Sequence, residues 1–382
     1  MRRRLGLAAA VAAAAALAAA PGASASKSIQ TGLFDDAQVL WGNPDKVFPM
    51  LKSLDTQLIR VNLYWNIVAK RRPANPLNPN DEAYDWSPWD RAVQYGSQYG
   101  IKVVLSIFGT PPWANGGAAQ NVPPTNVLDL KKFAQAAAKR YGGAFEGSDG
   151  RTLPAVRSWL VWNEPNNPVF LSPQYRQVAG KWVIQSAVAY AKMCNAVVAA
   201  VHGTTGGASK VACGVTGPRG NNNPSAGRPS VSPLPFLRAM KAAGAKGFDA
   251  YAHHPYYGKL QETPSTPPPP GIHGNAPTAV TLGNFGVLVK ELTRLYGGKV
   301  RIWITEYGYQ TKPPDAQFGV TYTQQAAYMK QAYAAAKANP RVDMLLWFLL
   351  RDEVRPEGWQ SGLLTASGKK KPAFAAFQKL RG

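Results

Sequence analysis

Two glutamates stand where apolar runs give out. Glu164 follows Ser158, Trp159, Leu160, Val161 and Trp162 in the stretch RSWLVWNEPN, and Glu306 closes the run in VRIWITEYGYQ. A carboxyl at the end of a buried strand sits at a rim and not in a core. Two such carboxyls facing one another could protonate a departing oxygen from one side while attacking or stabilising the anomeric carbon from the other, which is how a glycosidic bond is broken. The roles need different charge states. Glu164, beside Trp162 and other aromatic residues, is placed to keep its proton near neutral pH, because partial burial raises a carboxyl pKa. Glu306, as nucleophile, has to be ionised. Either glutamate alone would read as a rim salt bridge. Asn163 precedes the first acid and can hydrogen-bond a substrate hydroxyl, and Pro165 fixes the turn behind it, so the pair reads as a catalytic centre.

The elements that must position these residues repeat along the chain. Apolar, β-branched runs at Ile29–Phe34, Leu58–Tyr64, Lys102–Phe108, Ser158–Trp162, Val211–Val215, Phe248–Ala252, Val300–Thr305 and Met344–Leu349 predict eight strands. Helical patterns follow them near Pro44–Leu54, Trp86–Tyr99, Val127–Tyr141, Pro173–His202, Pro233–Ala243, Val280–Tyr296, Tyr322–Ala338 and Lys371–Leu380. Continuous apolar strands alternating with helices imply an α/β fold, a single closed (β/α)8 TIM barrel over residues 26–382. An open doubly wound sheet lacks support, because no Gly-rich phosphate loop follows the first strand. The long connections Asn66–Asp85, Pro111–Asn126, Gly217–Ser232, Tyr257–Ala279 and Asp352–Gly362 all run from strand to helix, so they gather at the C-terminal end of the strands, where such barrels build active sites.

The motif WNEPN on the fourth strand with TEYGY on the seventh resembles glycoside hydrolase clan A. This resemblance implies a retaining double displacement with Glu164 as acid/base and Glu306 as nucleophile. Arg60, in LIRVNLYW, matches the arginine that supports the nucleophile in the cellulase-like family 5 pattern. His254 and Tyr256, in YAHHPYYG, match a His-x-Tyr pair whose tyrosine hydroxyl bonds the nucleophile, and Trp347 matches a platform tryptophan beneath the sugar. Family 5 usually carries a histidine after the third strand, where this chain has SIFGTPPW with Thr110 and Trp113. That element, with YDWSPWDRAVQYGSQYGIKVVL, resembles families 39 and 42 of the same clan. Trp41, Trp65, Phe108, Trp113, Trp162 and Trp359 lie at or beyond strand ends, and about half of them are expected to stack on sugar rings.

The remaining features set the setting. Arg2, Arg3 and Arg4, the Ala/Leu/Val run Leu5–Ala20 and the small residues Pro21–Ser26 form a secretory signal with cleavage near Ala25, so the mature chain is expected to be exported, monomeric and without stable membrane insertion. The formal net charge is +22, with Lys and Arg scattered rather than in a stripe; this argues against a nucleic-acid partner and for a solvated basic surface, or attraction to an anionic cell wall. Two cysteines, Cys194 and Cys213, and four histidines build no structural zinc site, and no metal or other cofactor is expected. The cysteines could be bridged or be two buried thiols. A transglycosylase on the same site, or a non-catalytic glycan-binding protein on a hydrolase scaffold, are the competing readings, and Glu353 is the next acid on the rim if Glu164 is not the proton donor.

Overall fold

Strands buried on both faces have to be apolar throughout, and parallel neighbours have to be joined by crossovers. The computed structural model, which describes residues 29–147, 149–258, 262–269 and 278–381, meets both conditions; the leader read over residues 1–25 lies outside the described residues. In chain order the strands are β1 (Gln30–Phe34), β2 (Leu58–Tyr64), β3 (Lys102–Phe108), β4 (Ser158–Val161), β5 (Arg176–Val178), β6 (Lys181–Val183), β7 (Lys210–Thr216), β8 (Ala250–His253), β9 (Arg301–Tyr307) and β10 (Val342–Phe348). Eight of them close a parallel barrel in the order β1, β10, β9, β8, β7, β4, β3, β2, while β5 and β6 form a separate antiparallel pair. The barrel strands lie within two residues of the sequence expectation.

The helices pack outside. They are α1 (Asp36–Val39), α2 (Pro44–Ser53), α3 (Trp65–Val68), α4 (Ser87–Gln98), α5 (Val127–Arg140), α6 (Gln185–Thr205), α7 (Pro233–Ala242), α8 (Gly286–Tyr296), α9 (Tyr322–Ala338) and α10 (Pro372–Gln378). On α4 the buried residues Trp89, Ala92, Val93 and Gly96 recur at helical spacing and turn one stripe to the barrel. Side-chain caps set the helix starts: the Asn126 side chain accepts from Leu128 N–H ahead of α5, and Thr321 with Gln324 forms a capping box ahead of α9. No helix among the described residues is long and apolar enough to cross a membrane.

One expected helix is shorter than its pattern. The segment read as helix from Pro173 begins with the β5/β6 hairpin, and α6 starts only at Gln185. Ala179 and Gly180 both have positive φ, the backbone of a tight hairpin turn, and Val178, Trp182 and Val183 around them favour extended chain.

The barrel interior is filled by one small cluster, including Leu58, Val104, Leu160, Ala212, Trp303 and Leu346, with the larger apolar layer between strands and helices. Alternation along β2 therefore turns Arg60 and Asn62 to the same inner side as Leu58. Gly32 on β1 is required at this wall, since a Cβ there would lie 2.2 Å from the Leu58 carbonyl oxygen. The cysteines are bridged: Cys194 on α6 joins Cys213 on β7, both fully buried.

Candidate active site

The acids owe their aim to irregular strand ends. Beyond β4 the chain cannot continue as a strand, because Trp162 and Glu164 both adopt positive φ, at 71° and 35°. The neighbouring strands hold this turn: Trp162 N–H donates to Ile107 O, Ser106 Oγ donates to Trp162 O, and Glu164 N–H donates to Val215 O. Asn166, the last residue of WNEPN, accepts from Gly217 N–H and donates to Val231 O, fastening the loop after β7 against the turn. Gly217 is glycine for a reason, since a Cβ there would sit 2.9 Å from Glu164 Cδ. On β9 the pairing with β10 steps from Ile304–Leu345 to Tyr307–Trp347, so three residues of β9 are matched by two of β10. Such a bulge re-aims a side chain, and it lies at Glu306.

Arg60 is fully buried at the centre of the resulting network. Its Nη1 donates to Glu306 Oε1 at 2.7 Å and to Thr305 O at 3.2 Å, and its Nη2 donates to Asn163 Oδ1 at 2.7 Å. The guanidinium also lies over the Phe34 ring, 4.3 Å from its centroid. The Tyr256 hydroxyl donates to Glu306 Oε2 at 3.2 Å, and burial, with Glu306 beside it, holds that hydroxyl in its protonated form. His254 stands between the acids: Nδ1 is 3.1 Å from Glu164 Oε1 and 3.6 Å from Glu306 Oε1. Its Nε2 faces Arg60 Nη1, which can only donate, so Nε2 accepts and Nδ1 carries the proton toward Glu164. Burial lowers the His254 pKa to about 3, so the ring is neutral.

The two carboxylates and His254 Nδ1 each place an atom within 4.8 Å of the others. That spacing could also suit a metal ion, but the donor chemistry does not. Arg60 already brings a full positive charge to Glu306, and the protonated Nδ1 has no lone pair to offer. Burial raises the Glu164 pKa from its ordinary 4.5 to about 7, against the opposing effects of the Asn167 side chain and Arg60. A proton donor near neutrality thus stands within 4.8 Å of a carboxylate whose charge is met by Arg60 and Tyr256.

These groups open into a groove of about 990 Å³ at the C-terminal end of the barrel. Asn163, Glu164, Tyr256 and Glu306 line it, while Arg60 and His254 act from beneath. Two expectations are corrected. Trp347 is not a platform: it is buried, donates Nε1–H to Ser361 O and packs edge-on to Tyr307. Trp113 does not reach the groove either, because its Nε1–H is taken by Ala69 O and its ring by Arg72, in a separate hollow near α5. Of the six strand-end aromatics, Trp359 alone lines the groove; Trp65, Phe108 and Trp162 are buried, and Trp41 is exposed beside Trp89. Trp359 is 42% exposed and packs on Phe348 and Tyr256. Its loop is anchored by the buried Lys371, whose Nζ meets the Asp352 carboxylate at 2.7 Å, Thr311 Oγ1 at 2.8 Å and Gln360 O at 3.1 Å.

Sequence reasoning missed Asp36, Asn62, Tyr64 and Phe348, which also line the groove. The signal was available in part. Tyr64 and Phe348 are the last residues of β2 and β10, and the Asp35-Asp36 pair follows β1 as Glu164 follows β4. Asp35 is structural, accepting from the backbone N–H groups of Gln38, Leu350 and Arg351.

A profile of the family described as "Family of unknown function (DUF5722)" matches residues 127–381. A comparison with curated proteins finds no match. Among solved structures, a family 39 glycoside hydrolase from the gut symbiont Bacteroides cellulosilyticus WH2 is similar at 18% identity and TM-score 0.64, over 92% of this chain and 63% of that one. The chain therefore spans less than two thirds of that relative's length. A monomeric beta-xylosidase from Caulobacter crescentus CB15 is similar at 15% identity and TM-score 0.63, over 94% and 69% of the two chains. GH5_18 from Streptomyces cattleya, solved in complex with GlcNAc, is similar at 16% identity and TM-score 0.55, over 94% and 80%. At these identities the likeness is one of fold, the eight-stranded barrel of family 39 and family 5 glycoside hydrolases.

Proposed function

We propose that this chain, which belongs to the DUF5722 family of unknown function, is a retaining glycoside hydrolase acting on an oligosaccharide or polysaccharide. The observation that carries this is the pair of carboxylates from β4 and β9, with oxygens within 4.8 Å of one another, one raised to a pKa of about 7 and the other bonded to Arg60 and Tyr256. Retaining enzymes keep their carboxyl groups roughly 5 to 5.5 Å apart, whereas inverting ones need about 6.5 Å or more to admit a water molecule. The barrel likeness to glycoside hydrolases supports the same reading.

In the first step Glu306 attacks the anomeric carbon, the glycosidic C–O bond breaks, and Glu164 gives its proton to the departing oxygen. Glu164 is then anionic and Glu306 is esterified to the sugar. In the second step Glu164 takes a proton from water, whose oxygen displaces Glu306 and regenerates both carboxyls. The leaving group would lie on the Glu164 side of the groove, towards Asn167 and Phe170, and the retained sugar on the Glu306 side, towards Tyr256, Phe348 and Trp359. Asn163, its Oδ1 fixed by Arg60, would donate from its amide to a sugar hydroxyl. We infer action outside the cell, supported by the buried disulfide and the leader read over residues 1–25.

Labelling tests the assignment directly. A 2-deoxy-2-fluoro glycoside with a dinitrophenolate leaving group should esterify Glu306, seen as one glycosyl adduct on its peptide. Glu164→Ala should regain turnover with azide, giving a glycosyl azide of retained configuration. Inverted product, or a label on Glu353, would sink the reading.

A further inference from the structure

The glycosidase reading uses the acids just past β4 and on β9 but leaves Asp36 without a role, although this carboxylate also lines the groove, at the start of α1 and after β1, which lies two strands from β9 and three from β4. Its hydrogen bonds are specific. Asp36 Oδ1 accepts from Asn62 N–H at 2.9 Å; Oδ2 accepts from Asn62 Nδ2 at 2.9 Å and from the Tyr64 hydroxyl at 2.8 Å. An ionised carboxylate has about four acceptor positions, so one remains, on Oδ1. The Tyr64 oxygen, having donated its proton to Asp36, already meets Asn62 Nδ2 at 3.4 Å and keeps one further acceptor position. Asn62 Oδ1 lies 3.5 Å from Arg60 Nη2, which ties the group to the guanidinium holding Glu306. The arrangement is held in place from behind and incomplete in front, on the groove wall made by the ends of β1 and β2, with β10 between β1 and the β9 strand of Glu306.

We propose that Asp36, with Tyr64 beside it, is the specificity-determining pair for the retained sugar: Asp36 Oδ1 accepts from one ring hydroxyl and the Tyr64 oxygen from a neighbouring one. This rests on the glycosidase reading and deepens it, since the substrate class becomes a sugar with two adjacent free hydroxyls at that end. Burial pushes Asp36 up to about 6, with the Asn62 and Tyr64 hydrogen bonds pulling the other way. It is therefore an ionised acceptor in neutral solution, where a hydrogen bond to a charged group discriminates most strongly.

The test pairs each residue with the hydroxyl it accepts from. The 4-nitrophenyl glycosides of glucose, galactose, mannose and xylose, in both anomers, find the best parent substrate; its deoxy analogues at positions 3, 4 and 6, where present, are then compared in wild type, Asp36→Asn and Tyr64→Phe by kcat/KM. For one position the wild type should lose on the order of 10- to 100-fold on removal of the hydroxyl, the range for a hydrogen bond to a charged group. Asp36→Asn, whose amide oxygen is a neutral acceptor, should lose roughly tenfold less on the same removal. Tyr64→Phe, which has no acceptor, should be indifferent, within about twofold, at an adjacent position. A structural role would instead lower every substrate by one common factor. Equal losses in wild type and both variants at every position overturn the proposal while leaving the glycosidase standing. A wild type that turns over no parent glycoside and takes no fluoroglycoside label on Glu306 overturns both.

Discussion

Glu164→Gln should make the protein more stable, and only above a certain pH. In the folded chain burial holds the Glu164 carboxyl at about 7, against 4.5 when it is in water. Between those values the folded state keeps a proton that the unfolded state has released, so stability falls as pH rises through the window and stays lower above it. A shift of that size is worth about 3 kcal/mol at 1.36 kcal/mol per pKa unit. Glutamine has no proton to lose, and its carbonyl can still accept from His254 Nδ1–H. The variant should melt within a degree or so of wild type at pH 4 and, for a barrel of this size, roughly 5 °C above it at pH 8. Asp35 and Asp36, which burial raises to about 6, titrate in both proteins and cancel from the difference. Thermal melts by circular dichroism from pH 4 to 8 measure it. A difference that does not change with pH, or a glutamine variant that melts lower at pH 8, would refute the argument that burial of this acid costs folding energy and sustains its protonation.

The same titration should appear in catalysis: kcat/KM should fall above pH of about 7 as Glu164 loses its proton, and the pH profile on an unactivated glycoside checks it, a dinitrophenyl substrate showing little of this limb. Arg60→Met leaves Glu306 buried and unpaired, so it should destabilise the fold by about 3 to 5 kcal/mol in urea titrations as well as abolish turnover. Trp359→Ala should raise KM severalfold with melting temperature nearly unchanged, because the ring is a groove wall, whereas Trp347→Ala should cost about 3 to 5 kcal/mol of stability as a core truncation.

The barrel and the two acids were legible because each rests on a local pattern: apolar runs buried on both faces, and a carboxyl where such a run stops. Arg60, His254 and Tyr256 were legible through resemblance, and they do meet around Glu164 and Glu306. The tryptophans were not. Trp113, Trp347 and Trp359 carry the same side chain near strand ends, and what separates core from groove is where each indole N–H finds a partner, Ala69 O for the first and Ser361 O for the second. Those partners lie in loops whose course no periodicity encodes. Asp36 escaped for a related reason, since its partners Asn62 and Tyr64 come from the neighbouring strand, 26 and 28 residues away. The hairpin before α6 was missed because its strands are three residues each and largely exposed, so no buried face marks their period before Ala179 and Gly180 turn the chain.

The Cys194–Cys213 bond offers a clock. Both sulfurs are fully enclosed between α6 and β7, and thiol exchange proceeds only when an attacking thiolate reaches a sulfur directly. A reductant can therefore enter only when helix and strand part, so at high reductant concentration the rate of reduction stops rising and equals the rate at which that wall opens. The same strand supplies the Val215 carbonyl that receives Glu164 N–H. Timing the loss of the bridge in native buffer thus times the breathing of the wall on which the proton donor is hung, without a probe being added to the molecule.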